Sequence, residues 1–267
     1  MNLEDVNLEV DNLSTSLNFK YMHPKLKFKI SYEKDVQTFF AFNSNAHYDN
    51  GRTLEWAFFR KFPFLKKYRK GNILNISNKE ITYFVKSFYH KREKLIHKNI
   101  SLYQKKWKSI ENNFYNLTDN IFDDKFWPSG KYIVYPTIWG MFPRFLEDKT
   151  FQVPYRYRNK KYVNVIIAHE MLHFVFYNYF YKKYPEYKKD RYNFFVWHIS
   201  EIFNVIIQNS SKWLKVFKVK TLSYPEHQKI INILRNKYYH KKDLQTDGLI
   251  KDIIKFVNNS NLIEISK

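Results

Sequence analysis

One segment of the chain, from Tyr162 to about Tyr184, carries apolar residues on nearly every side of the helix that it would form. A helix without a polar face is stable at the centre of a domain, where other elements cover it all round. Pro185 follows directly and would end such a helix, because proline cannot continue the helical hydrogen-bond ladder. The rest of the chain is therefore expected to pack around this one helix.

Two histidines stand four residues apart within this segment, where His169, Glu170 and His173 form the pattern His-Glu-x-x-His. Residues four apart lie on one helical face, so both imidazoles can reach one metal ion while Glu170 points beside it. Two imidazoles, a third protein ligand and a water make an open tetrahedral zinc site, and the adjacent carboxylate can take a proton from that water. The pattern predicts a zinc-dependent hydrolase, most readily a peptidase. The competing interpretation is a buried helix whose histidines are hydrogen-bonded within the core.

A third metal ligand must come from elsewhere, and the next apolar helix offers His198 and Glu201, three residues apart. The neighbours of Glu201 are apolar, so its carboxylate would be costly to bury unless it were paired or bound to a metal ion. We therefore predict Glu201 as the third ligand. His198 is the alternative, as a ligand or as the partner of one, because imidazole binds zinc equally well. An ordinary surface Glu beside a His also fits the sequence.

Peptide hydrolysis needs a hydrogen-bond donor for the oxyanion that forms on the carbonyl. His227, in the run Ser-Tyr-Pro-Glu-His after the third-ligand helix, is the residue that we choose, with Tyr224 beside it. Arg144 and Tyr155, from an extended region before the metal helix, are competitors. The predicted catalytic residues are thus Glu170 and His227.

The block from Ile166 to Val175 resembles the long motif of the zincin superfamily of metallopeptidases, in which apolar residues flank His-Glu-x-x-His. The metzincin branch does not fit, because it requires Gly and His where this chain has Phe176 and Tyr179. A Glu on the following helix is similar to the gluzincin arrangement. The resemblance is confined to residues 150–209.

This resemblance implies a zincin-like catalytic core with Zn²⁺ as cofactor and a peptide or protein as substrate. It implies that His169, His173 and Glu201 bind zinc and that Glu170 is the general base. The spacing from His173 to Glu201 is longer than in typical thermolysin-like or aminopeptidase-like members. It is more similar to compact cytoplasmic peptidases of the phage antirepressor type.

The chain is strongly basic, with 46 Lys and Arg against 25 Asp and Glu and a formal net charge of +21. Such a surface would attract polyanions, so an acidic protein or a nucleic acid is a candidate partner. The lysines are scattered, however, and AT-rich coding sequence would produce the same residue usage without such a partner. Cysteine is absent, so any metal must be held by His and carboxylate groups.

The first twenty residues, Met1 to Lys20, contain four acidic residues and no apolar core of signal-peptide length, which predicts that the chain is not secreted. No run of about 18 apolar residues is free of charge, so no membrane span is predicted. We therefore expect a cytoplasmic protein with no membrane partner.

Hydrophobic periodicity predicts an α+β fold that is mainly helical with a small sheet. Helices are expected over 34–43, 53–61, 77–98, about 107–121, 162–184, 192–209, 226–237 and 243–258. Strands are expected over 25–32, 131–138 and 150–155. We divide the chain into a mainly helical N-terminal region of unknown role, 1–127, and a zincin-like metallopeptidase core, 128–267.

The last of these strands contains Pro154, which cannot donate a hydrogen bond within a sheet and so predicts an edge strand. An edge strand just before the metal helix could align an extended peptide over the metal by strand addition. An edge strand with no such role fits equally well.

Two other functions fit parts of the pattern. A basic binding module could contain a closed structural metal site, with His169, His173, His198 and Glu201 as four ligands and no position for water. A di-metal carboxylate site could use the pair Glu170 and His173, but it requires a second Glu-x-x-His pair on a partner helix. The pair His198 and Glu201 has the reverse order.

Overall fold

The computed structural model describes residues 23–47, 49, 51–122, 126–189, 194–238 and 245–260. The acidic segment from Met1 to Lys20, on which the prediction about secretion rests, lies outside these residues. Within the described ranges, no helix combines the length and the apolar character needed to cross a membrane.

The described residues form a mainly helical fold with a small mixed sheet, which confirms the predicted α+β class. The α-helices are α1 (Tyr32–Ser44), α2 (Asn78–Lys108), α3 (Glu111–Phe122), α4 (Tyr162–Lys183), α5 (Phe194–Gln208), α6 (Ser211–Phe217), α7 (Gln228–Tyr238) and α8 (Thr246–Asn258). The strands are β1 (Leu26–Phe28), β2 (Arg69–Lys70), β3 (Ile73–Leu74), β4 (Tyr132–Thr137), β5 (Arg144–Phe145) and β6 (Thr150–Pro154). Shorter helical turns are a π-helical turn at Leu54–Phe59 and 3₁₀ turns at Pro63–Tyr68, Pro185–Lys189 and Pro225–His227.

The first predicted strand is shorter than expected and ends at Phe28. Ser31 is the reason, because its hydroxyl accepts a hydrogen bond from the amide of Lys34 and caps α1, which begins at Tyr32. Tyr32 therefore belongs to a helix, although its position in the alternating pattern predicted the fourth apolar residue of a strand.

The long predicted helix after Ser77 forms, and its capping box is present: Ser77 accepts from the amide of Glu80, and Glu80 accepts from the amide of Ser77. This helix, α2, continues ten residues past the predicted end and includes Trp107. The apolar stripe that predicted one further helix from Trp107 is consequently divided between α2 and α3. The Trp107 and Phe114 rings still pack against each other across the break, with centroids 5.0 Å apart.

The four-stranded sheet has the order β1-β4-β6-β5, with β1, β4 and β6 parallel and β5 antiparallel to β6. The prediction that β6 is an edge strand is therefore wrong, because β5 lies beside it. Pro154 is tolerated for a local reason. The amide of Gln152 points toward the β5 side, so the nitrogen of Pro154 points the same way, and β5 pairs only with Thr150 and Phe151.

Helix α4 lies between the sheet and α5, as its apolar sequence predicts. Phe174 packs against Tyr132 of β4 and Phe151 of β6, and Phe176 packs against Phe203 of α5. All three of these aromatic partners, and the two α4 residues themselves, are buried in one hydrophobic core. The same core extends over both sides of the boundary that we placed between residues 127 and 128, because β1 pairs with β4.

A buried polar network joins α1 and α2 to the sheet. The Asp35 carboxylate accepts hydrogen bonds from the Tyr89 hydroxyl (2.8 Å), the Ile138 amide (2.9 Å) and the Gln152 side-chain amide (2.8 Å). The Thr38 hydroxyl donates to the other end of the Gln152 amide group (2.8 Å). Burial raises the pKa of Asp35 to about 6, and these donors offset only part of that effect. Asp35 is thus a structural carboxylate whose ionisation opposes folding.

We predict that Asp35→Asn makes the stability of the fold less sensitive to pH. The folded-state pKa of Asp35 lies above its unfolded value, so the stability of the wild type falls as pH rises from about 4 through about 6, and Asn does not titrate. The difference in unfolding free energy, variant minus wild type, should increase by about 2–3 kcal/mol between about pH 4 and about pH 7. Urea unfolding at several pH values measures this difference, and a constant difference would contradict it.

Candidate metal centre

Helices α4 and α5 run antiparallel and in contact, which brings their few polar residues together. Near one end His169 meets Gln208, and near the other Tyr177 meets Ser200. Both helices are otherwise buried and apolar. Buried polar side chains on such helices need partners on the elements that cover them, because leaving them unpaired away from water is costly.

The side chains of His169, His173 and Glu201 converge in this interface. Glu201 Oε2 lies 3.0 Å from His169 Nε2, Glu201 Oε1 lies 3.3 Å from His173 Nε2, and the two Nε2 atoms are 3.1 Å apart. One candidate ligand atom from each residue lies within 4.8 Å of the other two. Among the described residues this is the group of His, Asp and Glu side chains that could hold a metal ion.

The chemistry of this donor set fits a divalent metal ion. Two imidazole nitrogens and a carboxylate oxygen point at one another, and a single proton cannot satisfy all of their lone pairs. Buried polar atoms that lack hydrogen-bond partners also surround the group, namely Nδ1 of His173 and Oε2 of Glu170. Such orphaned atoms are expected where an ion or a water belongs. His, His and Glu are ligands that suit zinc, although other divalent metals accept them too.

The two histidines and Glu201 shift one another's pKa values within the centre. Burial acts to raise the pKa of Glu201, but His173 and His169 outweigh it and hold that pKa well below its usual range. Burial acts to lower the pKa of His169, but the Glu201 carboxylate outweighs it and the pKa is raised. Burial, with Arg144 second, lowers the pKa of His173 well below its usual range. Because metal binding requires neutral imidazoles, a proton and a metal ion would compete for this group.

Glu170 lies beside this group rather than within it. Its side chain is buried, and burial raises the pKa of Glu170 to about 7, since the opposing effects of His169 and Arg144 are weaker. The Arg144 Nη1 atom lies 3.9 Å from Glu170 Oε2. A carboxylate with this pKa can both accept and release a proton near neutral pH.

Arg144, at the start of β5, reaches from the sheet to the same centre. Its Nη1 lies 3.3 Å from Glu201 Oε1, and its Nη2 donates to the Tyr177 hydroxyl over 3.4 Å. The guanidinium also lies 5.6 Å from the centre of the Tyr177 ring. Arg144 is therefore a permanent positive charge beside both carboxylates.

Gln208 fixes the orientation of His169. Its Oε1 lies 2.9 Å from His169 Nδ1, and its Nε2 donates to the Val165 carbonyl over 3.0 Å. Because the second bond fixes which end of the amide faces the ring, His169 Nδ1 must carry the proton and Nε2 is left to face the centre. Asn204 adds a bond from its side-chain amide to the His169 carbonyl (3.3 Å).

Two predicted residues do not join the group. His198 Nδ1 lies 2.7 Å from His227 Nε2, and both side chains are buried against Trp197 rather than placed with His169 and His173. The four-ligand site that a purely structural metal would use is therefore not assembled.

Of the remaining candidates for the oxyanion, Tyr155 packs against Phe88 of α2. The Tyr224 ring packs against Trp197, one turn before Glu201 on α5. Burial of its hydroxyl, and after it the negative charge of Glu201, raises the pKa of Tyr224 above its usual value. Arg144 opposes this shift, and Glu170 adds to it.

Two residues of the centre, Gln208 and Asn204, were missed from the sequence. The signal was present, because Glu201, Asn204 and Gln208 stand at spacings of three and four on a helix that is otherwise apolar. A polar row of this kind on a buried helix indicates a polar partner on the facing helix. Tyr177 gave no such signal, since tyrosine is abundant throughout the chain.

In comparisons with known proteins, no family model matches this chain, and no curated protein and no solved structure is significantly similar to it.

We predict that the wild-type protein binds one zinc ion per chain and that His169→Ala abolishes this binding. Saturating zinc should stabilise the wild type by about 2–4 kcal/mol, because the ion binds only the folded state, and should leave the variant unchanged. Metal analysis after gel filtration, with melting curves in zinc and in chelator, measures both effects. His97→Ala, at an exposed position of α2, is the matched control and should behave as the wild type. Wild-type protein without stoichiometric metal would contradict the assignment.

We predict that Gln208→Leu lowers zinc affinity by about 10- to 100-fold without removing a ligand, because His169 loses the acceptor that fixes its orientation. Competition against a chromogenic zinc chelator measures the affinity. Gln208→Glu should retain more affinity than Gln208→Leu, since it keeps an acceptor for His169 Nδ1. Gln228→Leu, at an exposed site on α7, is the control. Equal affinities for all of these proteins would exclude the positioning role.

Proposed function

We propose that this chain is a zinc-dependent metallopeptidase with a zincin-like catalytic core. The observation that carries the proposal is the convergence of three ligands, His169, His173 and Glu201, with the Glu170 carboxylate beside them and without a hydrogen-bond partner for its Oε2. Three protein ligands leave a coordination position for water or substrate, whereas a purely structural site has four.

The resemblance to gluzincins supports the same proposal. The chain has the His-Glu-x-x-His pattern on a buried helix, α4, and a glutamate on the next long helix, α5, whose oxygens face both histidines. The sheet that covers α4 has an antiparallel strand, β5, at its edge, and β5 supplies Arg144 to the centre. These features favour a peptidase over other uses of a His, His and Glu site.

His169, His173 and Glu201 would hold the metal. When bound, zinc acts as a Lewis acid that polarises the scissile carbonyl and makes a water more acidic. Glu170 takes a proton from the attacking water and delivers it to the leaving amine, so the carboxylate returns to its starting state after each cycle. Its buried position keeps the affinity of this carboxylate for a proton high.

The oxyanion donor that the geometry favours is Tyr224 rather than His227. His227 is fully buried and its Nε2 is engaged with His198. The Tyr224 ring, by contrast, packs against Trp197, one turn before Glu201, and burial, followed by the charge of Glu201, raises the pKa of its hydroxyl. Burial keeps this phenol protonated, so it can donate to an oxyanion at neutral pH. Arg144 is the second cationic group at the site, and its bonds to Glu201 and Tyr177 assign it to positioning those side chains.

We predict that Glu170→Gln retains zinc but lowers the rate of peptide hydrolysis by about 10²- to 10⁴-fold, because an amide cannot accept the proton of the attacking water. The rate is measured on a library of internally quenched fluorescent peptides, and zinc is measured on the same samples. Glu93→Gln, at an exposed position of α2, is the matched control and should keep the wild-type rate. An unaltered rate in Glu170→Gln would remove Glu170 from the mechanism.

A further inference from the structure

A short segment without regular secondary structure, Thr221 to Tyr224, contacts both α4 and α5. At one end the Leu222 amide donates to the hydroxyl of Tyr162, which lies two turns before His169 on the same face of α4. At the other end the Tyr224 ring packs against Trp197, one turn before Glu201 on α5, with centroids 5.1 Å apart. The segment therefore contacts the faces of α4 and α5 that carry the metal ligands.

This segment and α5 together expose an apolar surface, which we call the apolar wall and define as Phe194, Trp197, Leu222 and Tyr224. Phe194 and Trp197 precede Glu201 by seven and four residues, so all three side chains lie on one face of α5. The rings of Phe194 and Trp197 are in edge contact at 6.3 Å. The wall is thus continuous with the ligand face of the metal centre.

Exposed apolar side chains are concentrated at this wall. Six large hydrophobic residues are exposed among the described residues, and three of them, Phe194 (44%), Leu222 (75%) and Tyr224 (39%), belong to it. The chain elsewhere is strongly basic, with a net charge of +21. A cluster of exposed apolar groups beside a polar centre marks a binding site rather than ordinary surface.

The backbone of the wall indicates what kind of molecule would bind. Among the described residues, the amides of Ser223 and Tyr224 and the carbonyls of Leu222 and Ser223 make no hydrogen bond. Tyr224 has extended dihedral angles, φ −64° and ψ 143°. Extended backbone with free donors and acceptors can pair with the main chain of another extended polypeptide.

We propose that the apolar wall binds an extended polypeptide and selects a large apolar side chain next to the bond that is cleaved. This inference rests on the proposed peptidase function and names its substrate class. Leu222 and Tyr224 contact the substrate side chain, and the backbone between them pairs with the substrate main chain. Burying a Phe or Leu side chain against such a surface favours binding by about 10-fold or more over Ser.

Binding is tested apart from catalysis in the zinc-loaded Glu170→Gln protein. The probes are two fluorescein-labelled octapeptides that differ only at two central residues, Phe-Leu in one and Ser-Ser in the other. Fluorescence anisotropy should show at least about 10-fold tighter binding of the Phe-Leu peptide. Adding Leu222→Ser should reduce this preference by about threefold or more. Ile233→Ser, at an exposed aliphatic position of α7, is the matched control and should leave the preference intact.

Three results would contradict the proposal that the apolar wall binds the substrate. They are equal binding of the two peptides, no binding of either, and equal effects of Leu222→Ser and Ile233→Ser. Both Leu222 and Ile233 are exposed, so neither change should unfold the chain, and circular dichroism checks this. The wild type is then tested for cleavage of the Phe-Leu peptide. Preferential binding of the Phe-Leu peptide without cleavage would contradict only the peptidase function. Cleavage of both peptides at equal efficiency would contradict only the proposed selectivity of the apolar wall.

Discussion

The structure depends on one constraint, which is that polar atoms on a fully buried helix must be satisfied by the elements packed around it. Helix α4 is covered by the sheet on one side and by α5 on another, so His173 is fully buried and the side chain of His169 keeps only 15% of its surface exposed. Their partners are carboxylate and amide groups on α5, and a guanidinium from β5 contacts the Glu201 carboxylate that they share. A metal ion fits this arrangement because it satisfies several lone pairs at once in a space where hydrogen atoms are too few.

Much of the centre could be predicted because helices make local spacing informative. The position of α4, the shared face of His169 and His173 and the choice of Glu201 all follow from periodicity and from the cost of burying a carboxylate among apolar residues. The structure places Glu201 with both histidines, as this reasoning requires. The prediction of zinc and of peptide hydrolysis goes beyond the geometry and depends on the chemistry of the site.

Other features could not be predicted because they arise from contacts between residues far apart in the chain. Strand β5 has two residues and no periodicity, yet it covers part of β6 and delivers Arg144 to the centre. His227 was chosen for its residue type, and only the packing of the turn after α6 shows that it pairs with His198 instead. The Asp35 network likewise joins α1, α2 and the sheet over separations of 54 to 117 residues, which no local pattern can reveal.

The segment from Thr221 to Tyr224 is held by hydrogen bonds at both ends in the absence of a substrate. Asn209 holds Thr221 through a pair of hydrogen bonds, of 2.9 Å and 2.8 Å, and the Tyr224 carbonyl accepts from the His227 amide over 3.1 Å. The conformational entropy of this stretch is consequently lost when the chain folds and not again when a substrate binds. For the proposed peptidase, a rigid segment of this kind favours strands and loose termini over compact domains, so the local unfolding of a target protein would govern how quickly it is cleaved.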